Sequence, residues 1–179
     1  MSATSPVTTP GTVPSREEHD RPVPGRQRIV VGVDGSECAA EALTWALREA
    51  VLRGADLDAV ASWQPPAMLG SAAAFAYVDL STVDLAGPTA EVLDKAVAAA
   101  VGDVPGADSV TVRPHVVEAY PVRALLEAAE GADLLVVGSR GHGELSGVLL
   151  GSVGLHCVTH SPCPVVVVRG SRPHEAQES

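Results

Sequence analysis

Two stretches of this chain hold residues whose types and spacing could do chemistry. The longer is Gly138-Ser139-Arg140-Gly141-His142-Gly143-Glu144-Leu145-Ser146-Gly147-Val148-Leu149-Leu150-Gly151-Ser152, which follows a short apolar run, Leu134 to Val137. Glycine destabilises a folded chain unless φ must be positive or something must approach the backbone closely, and five glycines lie here. A strand that passes through glycines into a helix N-terminus turns unpaired N–H groups and the positive end of the dipole toward an anion. Ser152 stands where an N-cap would, so its hydroxyl has two uses: capping the helix or reaching a phosphate oxygen. Arg140 is equally suited to pairing with a phosphate and to pointing at solvent. The shorter stretch is Asp34-Gly35-Ser36, where Asp34 can hold a ligand or simply shape a turn that caps the next helix.

These residues need a scaffold, and the surrounding pattern describes one. Arg28 to Val33 is a short β-branched run of the kind buried in a parallel sheet. From Ser36 to about Arg53 apolar residues recur at helical spacing, and Gly54 ends the segment. Further strands are expected at Leu57–Trp63, Val110–Val117, Asp133–Val137 and Val165–Val168. Helices are expected near 88–101, 121–130 and 152–160, the first two opening on a proline. Strands alternating with helices imply a mostly parallel sheet covered on both faces. Ligands of such sheets bind beyond the carboxyl ends of the strands, where strand order reverses. If strands one and four are neighbours, Asp34 faces the glycine loop, a carboxylate opposite a phosphate cradle, as a nucleotide requires.

Composition narrows the options. The chain has 179 residues, enough for one domain with a real core, and 46% are apolar but only 3% aromatic, which suits an aliphatic interior. A net charge of -10 and a single lysine, Lys95, exclude a basic nucleic-acid surface and disfavour anionic membranes. A bound phosphate must therefore rely on backbone dipoles. Residues 1–27 read as a disordered Pro/Ser/Thr-rich tail with no signal-peptide pattern, 28–170 as the folded domain, and 171–179 as a polar tail. Three cysteines, irregularly spaced, suggest a reducing cytoplasmic setting and no disulfide framework.

Gly138, Gly141 and Gly151-Ser152 are separated by two and nine residues, a spacing that resembles the nucleotide-binding members of the universal stress protein family. The opening Val33-Asp34-Gly35-Ser36 and the closing Ser161-Pro162-Cys163-Pro164-Val165-Val166-Val167-Val168 are similar to that family's first and last strands. The resemblance covers about Arg28 to Arg169. It implies a three-layer open α/β sandwich, a five-stranded parallel sheet of order 3-2-1-4-5, Rossmann-like and similar to the adenine nucleotide alpha hydrolases. It also implies an ATP site. Asp34 would lie near adenine and ribose, and Ser62 would touch adenine through its backbone. Gly138, Gly141, Gly151, Ser152 and the Val153 amide would hold ribose and phosphates. Mg2+ would offset the triphosphate charge, and the strand Val165–Val168 would join two copies as a homodimer. The chain departs from the family's usual pattern at Ser62, commonly aliphatic, and at Ala119, often glycine.

The resulting expectation is an ATP-binding, nucleotide-dependent stress sensor or regulator, acting without nucleic acid or membrane. Two other readings stand beside it. One is a slow ATP-hydrolysing enzyme using His142 and Glu144 as its acid–base groups; the other is a dimeric scaffold without bound nucleotide. No catalytic residue is assigned. His156, Cys157, His160 and Cys163 lack the spacing of strong metal sites, so no metal-ligand set is assigned. Asp56 with Asp58, and Asp79 with Asp84, read as solvated carboxylates. The segment 64–87, following the strand that should end at adenine, is expected to fold over the base.

Overall fold

The computed structural model describes residues 25–64, 86–141 and 150–170. Five strands, β1 (Arg28–Gly32), β2 (Asp56–Trp63), β3 (Val112–Glu118), β4 (Leu134–Gly138) and β5 (Val165–Val168), form one parallel sheet of order β3-β2-β1-β4-β5. The fold expected from the resemblance is therefore present. Register is fixed by the buried central strand: Ile29 pairs with Leu57 on one side and with Leu134 on the other. All three are buried, so a one-residue slip would turn each to the opposite face.

Helix α1 (Glu37–Arg53) is started and stopped by local chemistry. The Ser36 hydroxyl accepts a hydrogen bond from the Ala39 N–H at 3.2 Å, and Gly54 closes the helix at φ 63°. Its small buried face, which includes Ala39, Ala42, Ala46 and Ala50, lets the helix lie close against the sheet. Helix α2 (Gly87–Asp103) shares that face of the sheet, packing Leu93 and Ala100 with Ile29, Val31 and Leu57. Helices α3 (Pro121–Ala129) and α4 (Ser152–His160) cover the other face, around Val30, Val60, Leu135 and Val137. The helices thus change face between β3 and β4, and the strand order reverses between β1 and β4. Expected and observed boundaries differ by a residue or two. At β3 a 3-10 turn, Ala107–Ser109, holds the Val110 N–H to the Ala107 carbonyl at 3.0 Å and delays the strand to Val112.

One expectation is overturned at the amino end of β2. Asp56 and Asp58 are buried, 2% and 6% exposed, not solvated. Arg113 of β3 reaches both, with Nε 2.7 Å from Asp58 and Nη1 3.1 Å from Asp56. Arg28 donates to Asp58 at 2.8 Å and to the Ala128 carbonyl at 3.0 Å, tying the cluster to the end of α3. Arg26 approaches Asp56 at 3.1 Å, and the Gln27 carbonyl accepts the Asp56 N–H, so both residues are bonded to the start of β2. Arg28 and Arg113 sit on other strands and Arg26 just before β1, all far along the chain, which is why neighbours in sequence gave no sign of them. Asp79 and Asp84 lie outside the described residues.

Candidate functional site

The switch between β1 and β4 opens a crevice at the carboxyl ends of the strands, as the topology demands. Its cavity is about 520 Å³, within the range of small-molecule sites. Asp34, Ser62, Gly138, Arg140, Gly141, Gly151, Ser152 and Val153, the eight residues singled out from the sequence, all line it. They come from four separate parts of the chain: the end of β1, the end of β2, the end of β4, and the start of α4.

The glycines there do different jobs, and none of the three in the motif has a positive φ. Close approach is the issue instead. At Gly138 a Cβ would lie 3.0 Å from the Cys38 carbonyl and 3.1 Å from the Ala39 nitrogen, so its absence lets β4 run against the first turn of α1. At Gly141 a Cβ would overlap the Asp34 carboxylate. Gly151 differs: its backbone is extended, φ -67° and ψ 164°, and a Cβ would meet only the Ser139 carbonyl at an ordinary 3.6 Å and the Arg140 Cα at 3.8 Å. Among the described residues nothing requires glycine at that position.

Gly151, not Ser152, is the N-cap of α4, and among the described residues no side chain caps the helix. Ser152 is its first helical residue, which corrects its expected role as a cap. The Gly151 carbonyl receives the Leu155 N–H at 2.9 Å, the first bond of the helix. The amides of Ser152, Val153 and Gly154 precede that bond and line the crevice. In α1, by contrast, the Ser36 hydroxyl accepts the Ala39 N–H of the first turn.

Asp34 shapes the turn and also lines the crevice. One carboxylate oxygen accepts the Ser36 N–H at 2.9 Å and shapes the turn, while the other faces Gly141 within the crevice. Arg140 is half-buried at the rim. The far wall is apolar, made by Val60 of β2 with Pro121, Ala124 and Leu125 of α3.

Sequence reading passed over that α3 wall and over Ser139. Ser139 is 3% exposed; its N–H donates to the Val168 carbonyl at 2.7 Å and its carbonyl accepts the Gly151 N–H at 2.8 Å. It clamps the glycine loop to β5 and to the start of α4. Its place between two motif glycines was the available signal. The α3 wall carried none, because Pro121 and Ala124 are ordinary helix residues until the sheet brings them over β2.

His142, Glu144 and most of 64–87 lie outside the described residues. His156 and His160 are exposed, and each Nδ1 sits on a carbonyl four residues back, Ser152 at 2.8 Å and His156 at 3.1 Å. Cys157 points into the core, where burial raises its thiol pKa. Among the described residues no helix is long and apolar enough to cross a membrane.

A profile of the universal stress protein family matches residues 25–169. A universal stress protein of Mycolicibacterium smegmatis is 33% identical over 84% of this chain and 47% of its own length. One of Mycobacterium tuberculosis is 33% identical over 87% of this chain and 49% of its own. The chain thus spans about half the length of the curated relatives it matches. Among solved structures, a universal stress protein in complex with cAMP superposes with a TM-score of 0.57 at 28% identity, covering 81% of this chain and 98% of that one. UspA from Lactobacillus plantarum gives 0.55 at 25% identity, covering 81% and 99%.

Proposed function

This chain belongs to the universal stress protein family, and from that membership we propose that its crevice binds ATP as the Mg2+ complex and that occupancy regulates the protein's stress role. The observation that carries the reading is Gly151. It adjoins a helix N-terminus inside the cavity that no described side chain caps, and no described residue creates a need for a missing side chain there. A phosphate resting on the Ser152 and Val153 amides supplies that need. The cAMP complex of a relative at 28% identity supports the choice of an adenine nucleotide.

The residues fit the ligand in a definite direction. Phosphates sit over α4, where the amides replace the lysine this site lacks. Ribose lies between Asp34 and the Gly138–Gly141 turn, and the base enters the apolar end beneath α3. Among the described residues no cluster of three or more His, Cys, Asp or Glu could hold a metal. Mg2+ therefore arrives on the phosphates, with Asp34 the carboxylate closest to hand.

Two further parts of the proposal concern setting. β5 ends the sheet with one paired edge and four half-buried valines, so a second copy of the chain covers its other edge as a homodimer. The three free cysteines suit the cytoplasm. Isothermal titration of the full chain with Mg·ATP tests the core claim: saturable binding at micromolar to submillimolar concentration is expected, and none below about 1 mM would reject it.

A further inference from the structure

The two ends of the crevice are chemically unlike, so a nucleotide has one sensible orientation, with its base on the apolar wall of Val60, Ala124 and Leu125. On that wall stands one hydroxyl, Ser62. It lies two residues beyond Val60, on the same face of β2, half-buried and lining the cavity. Among the described residues no hydrogen-bond partner is recorded for its hydroxyl. Its backbone is also placed to meet a base. β1 ends at Gly32, in register with Val60, so Ser62 has a register partner on β3, Val117, but none on β1.

We propose that the Ser62 hydroxyl admits purine nucleotides carrying an oxo group at C6, such as inosine or guanosine phosphates, alongside adenine nucleotides. The proposal rests on the nucleotide reading above and extends it to a further ligand class. A strand carbonyl is a fixed acceptor: it suits the 6-amino group of adenine and sets oxygen against oxygen for a 6-oxo purine. A serine hydroxyl is a rotor with one donor and two lone pairs, so it donates to O6 in one case and accepts from the amino group in the other. An alanine at this position leaves O6 beside an acceptor with no donor, and a buried polar group without a partner is the strongest basis for rejecting a ligand. Adenine keeps its carbonyl contact whether or not the hydroxyl is present.

The test is titration of full-length wild type, Ser62→Ala and Ser62→Thr with Mg·ATP and Mg·ITP, with thermal melts to check folding. ITP differs from ATP at C6 and in the N1 proton that follows, which isolates the group in question. Wild type should bind ITP within about tenfold of ATP. Ser62→Ala should weaken ITP about tenfold more than ATP, and Ser62→Thr, which keeps the hydroxyl, should restore the wild-type ratio. ATP binding with an ITP-to-ATP ratio unchanged in Ser62→Ala, or with ITP excluded from wild type, overturns this inference and leaves the ATP reading intact. If wild type binds neither nucleotide, both fail together.

Discussion

Asp34 and Gly141 stand face to face across the crevice, so close that a Cβ on Gly141 would overlap the Asp34 carboxylate. They follow the ends of β1 and β4, adjacent strands separated in the chain, among the described residues, by two other strands and three α-helices. This contact defines the narrow part of the site: a glycine is needed so that the carboxylate can occupy the space its side chain would fill. Gly151, lining the same cavity, leaves a space that no described residue occupies.

The two glycines should therefore respond differently to the same substitution. Gly151→Ala meets only ordinary contacts, so its melting temperature should fall by no more than about 2 °C. Its ATP affinity should still drop about tenfold or more, because the new methyl occupies the approach to the α4 amides. Gly141→Ala should lose both stability and binding. Differential scanning fluorimetry beside calorimetric titration separates the two; unaltered ATP affinity in Gly151→Ala would remove the main support for phosphate at α4.

Removing Arg113 takes away the one buried cation that two buried carboxylates on β2 share, leaving Arg26 beside Asp56 and Arg28 beside Asp58. Arg113→Ala should cost about 3–5 kcal/mol in urea unfolding, as expected when one partner of a buried ion pair is deleted. Arg123→Ala, which breaks an exposed, solvent-screened helical pair with Glu127, should leave the unfolding midpoint nearly unchanged. Equal losses would mean that the buried cluster contributes no more than a surface pair.

Acid should probe the same cluster. Burial alone would raise the Asp58 carboxyl pKa, but His115, Arg28 and Arg113 outweigh it and hold the group well below its ordinary 3.8. A carboxylate depressed in the folded state contributes stability that is complete above the unfolded value and is lost as pH falls. Wild-type stability should thus decline as pH drops below about 4, and Asp58→Asn, though less stable at neutral pH, should decline less steeply there. Parallel acid limbs in the two proteins would remove Asp58 from the titration.

The β5 edge makes a backbone prediction. The carbonyls of Pro164 and Val168 accept N–H groups of Leu135 and Ser139, so the alternate residues Val165 and Val167 turn their peptide groups away from β4. In a homodimer joined along β5 these two amides should be protected from hydrogen exchange, with protection rising with protein concentration. Sedimentation equilibrium showing a monomer throughout the micromolar range would reject that interface.

Much of the scaffold was legible because it is written locally. Ser36 and Gly54 bracket α1, proline opens α3, and runs such as Val165–Val168 have no use outside a sheet. The glycine spacing from Gly138 to Ser152 carried the rest of the reading, and all eight residues chosen from it and from its resemblance to a known family line one cavity. What stayed hidden depended on partners distant in the chain: Arg113 beneath Asp56 and Asp58, the α3 wall over Val60, and Ser139 clamping β5 to α4.

The sequence by itself determined the alternation of strands and helices and the residues that line the crevice at the start of α4, because periodicity and glycine spacing act over a few residues. Tertiary structure alone decided what each glycine accommodates, which end of α4 is left uncapped, and that the β2 aspartates are buried. Those outcomes depend on which atoms arrive from other strands, and the sheet order brings them there.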